Sequence, residues 1–80
     1  GGWGGEAPVF YPHGYLSINA NPWGEVILER QPLGIKPLMY QRIPTGRHRV
    51  VVTNPLLQKT KQLSFEIKQN SLTKVNVVLY

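Results

Sequence analysis

Asn21-Pro22-Trp23-Gly24-Glu25-Val26, Pro32-Leu33-Gly34-Ile35-Lys36-Pro37 and Pro44-Thr45-Gly46-Arg47-His48-Arg49-Val50-Val51-Val52 decide how this chain folds. Proline presets the first angle of a tight turn and glycine tolerates positive φ, so each segment reads as a turn feeding a short β-prone run. Working outward, side chains alternate as a pleated strand requires. Upstream, Leu16 and Ile18 oppose Tyr15, Ser17 and Asn19. Glu25 to Glu29 turns Val26 and Leu28 inward and Ile27 outward. Gln31 to Gly34 reads as a turn, and Ile35 to Ile43 as a third strand that Pro37 breaks and confines to an edge or bulge. Arg47 to Thr53 places His48, Val50 and Val52 on one face, and Arg47, Arg49, Val51 and Thr53 on the other.

Downstream, Asn54-Pro55 ends that strand and a loop runs to about Thr60. Lys61 to Lys68 then points Leu63, Phe65 and Ile67 inward. After Gln69-Asn70-Ser71, Thr73 to Tyr80 does the same with Val75, Val77 and Leu79. The proline-free stretch from Leu56 on could hold a helix by length, but its period of two and its valines favour strands. The expected fold is all-β: a small antiparallel β-sandwich of six to seven short strands with a core about 10 Å thick and no long helix, a small open barrel being the structural alternative.

Residues 1–13 read as a flexible linker rich in glycine and proline, and 14–80 as the domain. Trp3, Phe10 and Tyr11 are unusual in a spacer, and one or two of them are expected to fold back onto the domain. The chain has 80 residues, so its core is small, and without cysteine the fold rests on packing alone. Its longest apolar run, Val77 to Tyr80, is about four residues, against the ~20 that span a bilayer. No basic-then-apolar leader opens it, so an export signal or anchor would lie outside this stretch.

Nine basic residues against four glutamates give a net charge of +5, which favours anionic partners: nucleic acid, an envelope polymer, a membrane surface or an acidic protein face. Chemistry of the catalytic kind is not assembled by spacing. Glu25 and Glu29 would stand about 13 Å apart on one strand, wider than the ~5–9.5 Å of glycosidase pairs. There is no aspartate, and two histidines with four scattered glutamates make no zinc pattern. His48 sits among arginines and reads as a packed or turn-stabilising residue; His13 has no ligating neighbours. No cofactor is expected.

Laid out this way, Gly14 to about Leu79 resembles the bacterial PEGA domain. The likeness begins with Gly14-Tyr15-Leu16-Ser17-Ile18 leading to Pro22-Trp23-Gly24-Glu25-Val26, continues with Pro32-Leu33-Gly34-Ile35-Lys36-Pro37, and includes Pro44-Thr45-Gly46-Arg47-His48 before the valine-rich strand. Glu29-Arg30-Gln31 departs from the Asp-Gly hairpin common in that family, which puts the local turn geometry in question. The resemblance implies an all-β accessory module of the bacterial envelope, extracytoplasmic or on a cytoplasmic tail, often attached to a serine/threonine protein kinase. Asn54-Pro55 and Pro22-Trp23 look most like the copies at kinase C-termini.

The expected role is therefore a non-catalytic binding, sensor or spacer module of a larger bacterial envelope or signalling protein, not an enzyme, with a protein or envelope polymer as partner. Trp23, Tyr40, Arg42, Arg47 and Arg49 are the candidate interaction surface. The alternative is a basic β-domain that binds single-stranded nucleic acid or another polyanion, using Tyr15, Trp23 and Tyr40 as stacking faces beside the arginines and Lys59, Lys61 and Lys68.

Overall fold

The computed structural model describes residues 11–35 and 37–80. Seven strands form: β1 (His13–Asn21), β2 (Glu25–Leu28), β3 (Gln31–Gly34), β4 (Leu38–Pro44), β5 (Gly46–Asn54), β6 (Lys59–Ile67) and β7 (Leu72–Val78). They build a three-stranded sheet of order β4-β1-β7 and a four-stranded sheet of order β3-β2-β5-β6. Among the described residues no helix is long and apolar enough to cross a membrane.

The inward residues expected from alternation make the core. Leu16, Ile18, Val26, Leu28, Val50, Val52, Ile67, Val77 and Leu79 are buried together with Ile43, while Leu63, Phe65 and Val75 pack half-buried against them. Val50 and Val52 come from β5, whose neighbours β2 and β6 pair with it antiparallel. The all-β sandwich therefore stands, with one departure from a wholly antiparallel arrangement. β7 runs parallel to β1, from Tyr15 opposite Leu72 to Asn21 opposite Val78. Pleating says which face a side chain takes and says nothing of which strand lies beside it.

Two boundaries differ from expectation. Gln31 to Gly34 is strand β3, because the reversal happens one step earlier, at Glu29 and Arg30, where φ is +49° and +78°. Consecutive positive φ is what a two-residue hairpin needs to match strand twist, normally supplied by Asn-Gly or Asp-Gly. Here two long side chains hold that geometry. The expected strand from Ile35 to Ile43 begins only at Leu38, since β3 ends at Gly34 in one sheet and β4 belongs to the other. The Arg30→Gly variant is expected to be more stable by about 0.5–1 kcal/mol, the left-handed strain relieved less the extra entropy of glycine in the unfolded chain. A melting temperature unchanged or lower would contradict this.

β4 is an edge strand with a defect in it. Its register against β1 shifts between Leu16 and Ile18, and Tyr40 in the bulge has φ of +53°. Such a bulge twists an edge away from regular pairing and so guards it against another strand.

The domain starts earlier than Gly14. His13 is in β1, the Pro12 carbonyl accepts the Thr45 amide at 3.0 Å, and the Tyr11 ring lies edge-on to the His13 ring at 6.0 Å. Tyr11 borders a cleft with Leu33 and Ile43 while staying exposed; Trp3 and Phe10, like most of the expected linker, lie outside the described residues.

Candidate functional site: an arginine-lined groove

Outward positions on β2 and β5 do not follow the rule of polar side chains in water. Ile27 and Val51, directly opposite each other, form an apolar strip on the outer face of the four-stranded sheet. Around it stand Arg47 and Arg49 of β5, Arg30 of the hairpin, Glu29, His48 and Ser64, enclosing a shallow groove of about 560 Å³. The three guanidiniums come from two places in the sequence, a strand and a turn, and only the β2–β5 pairing joins them.

His48 fixes one end of the groove. Its Nε2 donates to the Pro44 carbonyl at 2.7 Å, its Nδ1 meets Glu29 Oε1 at 2.7 Å, and its ring packs tilted on Phe65 at 6.3 Å. Both partners are acceptors, so both contacts are hydrogen bonds at once only on a ring carrying two protons. His48 therefore ties the β4–β5 turn to the β2–β3 hairpin, in line with a turn-stabilising role. Glu29 is engaged rather than simply solvated, and it lies in a turn rather than on the strand with Glu25. The His48→Ala variant is expected to lose roughly 1–2 kcal/mol, from two hydrogen bonds of about 1 kcal/mol each partly replaced by water. Chemical denaturation showing no change would refute that role.

Among the described residues the Glu29–His48 contact is the one approach of a carboxylate to a basic side chain within 4.0 Å, so none of these carboxylates is held by Arg30, Arg47 or Arg49. Arg49 is steadied by a neutral partner: with its amide oxygen turned toward the guanidinium, Gln62 accepts from Nε and Nη1, each at 3.3 Å. Arg47 stands opposite Glu66 in register without reaching it.

The five candidate surface residues do not form one surface. Arg47 and Arg49 share the groove. Arg42 lies opposite Tyr15 on the outer face of the other sheet and borders a second cleft, on the open side between β3 and β4, that meets the groove at Glu29 and His48. Tyr40 belongs to the β4 bulge, where it and Met39 are 65% and 71% exposed. Trp23 is half-buried beside Pro22 at the opposite end of the sandwich. Its carbonyl accepts Asn54 Nδ2 at 3.0 Å.

Tyr15, Trp23 and Tyr40 are thus all absent from the groove lining, which includes no aromatic ring other than the His48 imidazole. The residues missed by sequence reasoning are Arg30, Ile27 and Val51 as members of a site. For Ile27 and Val51 the signal was present as apolar residues at outward positions, visible in the unbroken runs Val26-Ile27-Leu28 and Val50-Val51-Val52. No protein-family model, curated protein or solved structure matches the chain.

Proposed function

We propose that this domain is a non-catalytic binding module, an accessory unit of a larger bacterial envelope or signalling protein, such as a serine/threonine protein kinase, in the manner of PEGA domains. The observation that carries the reading is the groove on the outer sheet face, where three guanidiniums with no carboxylate partner among the described residues surround Ile27 and Val51. Guanidinium forks suit anionic groups, and the apolar strip gives a partner surface to cover. Its wide, shallow shape fits the face of a macromolecule better than a small molecule, which is commonly enclosed on most sides.

The test is a titration of the isotope-labelled chain with an anionic envelope polymer and with the other domains of its parent protein. Saturable amide shifts confined to one face are expected. Silence toward both would remove the reading. The groove's charge keeps single-stranded nucleic acid as a second reading, although stacking platforms place aromatic rings beside the cations and here they lie elsewhere. Lack of affinity for oligonucleotides at low ionic strength, where counterion release favours binding most, would eliminate it.

A further inference from the structure

Arg47, Arg49 and Val51 occupy successive outward positions of β5, about 7 Å apart at the ordinary rise of a strand. A second extended polypeptide repeats its same-face side chains at that same interval. Arg30 closes the side of the row next to the hairpin, and Ile27 widens its apolar end. We infer that the groove binds an extended acidic segment of a partner protein, with carboxylates at alternate positions over Arg47 and Arg49 and an apolar side chain, two residues further along, over Val51 and Ile27.

Three observations favour this occupant. The charge is complementary, since three arginines face the groove against one carboxylate in its lining, Glu29, which is engaged by His48, while Glu66, opposite Arg47 on β6, does not reach it. The floor is aliphatic, which suits a small apolar side chain and offers a nucleobase no stacking face. Arg30 holds φ of +78° at a turn position where glycine is favoured, so local backbone energy does not account for a cation there. The intervening side chains of the segment face water and are unconstrained.

This rests on the binding-module reading, and the experiment separates the two. The full chain is titrated at low ionic strength with a peptide containing Glu-Ser-Glu-Ser-Val, with an isomer in which the glutamates are adjacent, and with oligothymidylate. The alternating peptide is expected to saturate with shifts at Ile27, Arg49 and Val51, and to bind more tightly than its isomer. Arg47→Ala and Arg49→Ala should each weaken it roughly tenfold, the loss of about one charge-assisted contact. Arg30→Gly should weaken binding while raising the melting temperature, a combination that a purely structural arginine would not produce.

Equal binding of the two peptides, unchanged affinity in the arginine variants, or tighter occupation of the same groove by oligothymidylate would overturn the inference. If polymer or partner domains shift resonances at the β4 bulge while the peptides leave the groove silent, the binding-module reading survives and this one does not.

Discussion

Gly14→Ala is expected to remove most of the domain's stability. A Cβ at this position would clash with the Lys68 carbonyl oxygen and lie 2.7 Å from Ile67 Cγ2 and 3.0 Å from the Ser71 carbonyl oxygen. Two of these atoms are backbone, and the segment that carries them is pinned to the strand on both sides of Gly14. The Asn70 amide donates to the His13 carbonyl at 2.9 Å and the Tyr15 amide to the Ser71 carbonyl at 2.8 Å. Moving the segment away loosens both bonds. Leaving it in place overpacks the core beside Ile67, which is itself buried.

Overpacking alone costs about 1–3 kcal/mol, and each strained hydrogen bond adds up to about 1 kcal/mol. A single core in a chain of this length supplies only about 3–5 kcal/mol net. The variant should therefore be largely unfolded or melt far below the wild type, as read by circular dichroism and urea denaturation. Asn76→Ala, exposed on β7, should leave the midpoint unchanged and serves as the control. A Gly14→Ala protein within about 0.5 kcal/mol of wild type would show that the β6–β7 turn yields freely.

The second large effect is expected at Asn54. Its side chain is 0% exposed, the one buried polar residue among those described. Nδ2 donates to the Trp23 carbonyl at 3.0 Å and Oδ1 accepts the Leu57 amide at 3.0 Å. One amide group thus joins the turn before β2 to the loop after β5, just beyond the point where the β2–β5 ladder ends at Glu25 opposite Thr53. In Asn54→Ala a carbonyl and an amide lose their partners in a partly buried place, at about 1–3 kcal/mol for each group that water does not reach.

A loss of roughly 2–4 kcal/mol in urea denaturation is expected, along with faster hydrogen exchange at Leu57. Asn54→Asp discriminates further. It keeps the acceptor for Leu57 but sets a carboxylate oxygen against the Trp23 carbonyl, so at neutral pH it should rescue none of the loss. If Asp restored stability, the bond to Trp23 would not be a source of it.

These two residues mark where local pattern stops being informative. Asn54 before Pro55 has the ordinary look of a strand end, and Gly14 that of a linker boundary. Each becomes decisive only because a segment distant in the chain closes on it: Lys68 to Ser71 on Gly14, Trp23 on Asn54. The same holds for the groove. Arg47 and Arg49 were legible as a pair on one face of one strand, since a two-residue separation keeps side chains on the same side. Arg30 was legible only as part of an unusual turn, and its membership depends on β2 lying next to β5. The grouping of Trp23, Tyr40 and Arg42 with them came from residue type alone, and the fold distributes them to an end, an edge and the other sheet.

From its own letters the chain determined strands, their inward residues and most of their turns, because steric preference at proline and glycine and the period of a pleated backbone act over a few residues. The number of sheets followed, since strands with one apolar face must cover it. What the tertiary structure alone decided was adjacency: the parallel placement of β7 beside β1, the division of the stretch around Pro37 between two sheets, and the meeting of three arginines over Ile27 and Val51. Which strand sits next to which is a matter of long-range hydrogen bonding and packing summed over the whole core, and no short window of sequence contains that sum.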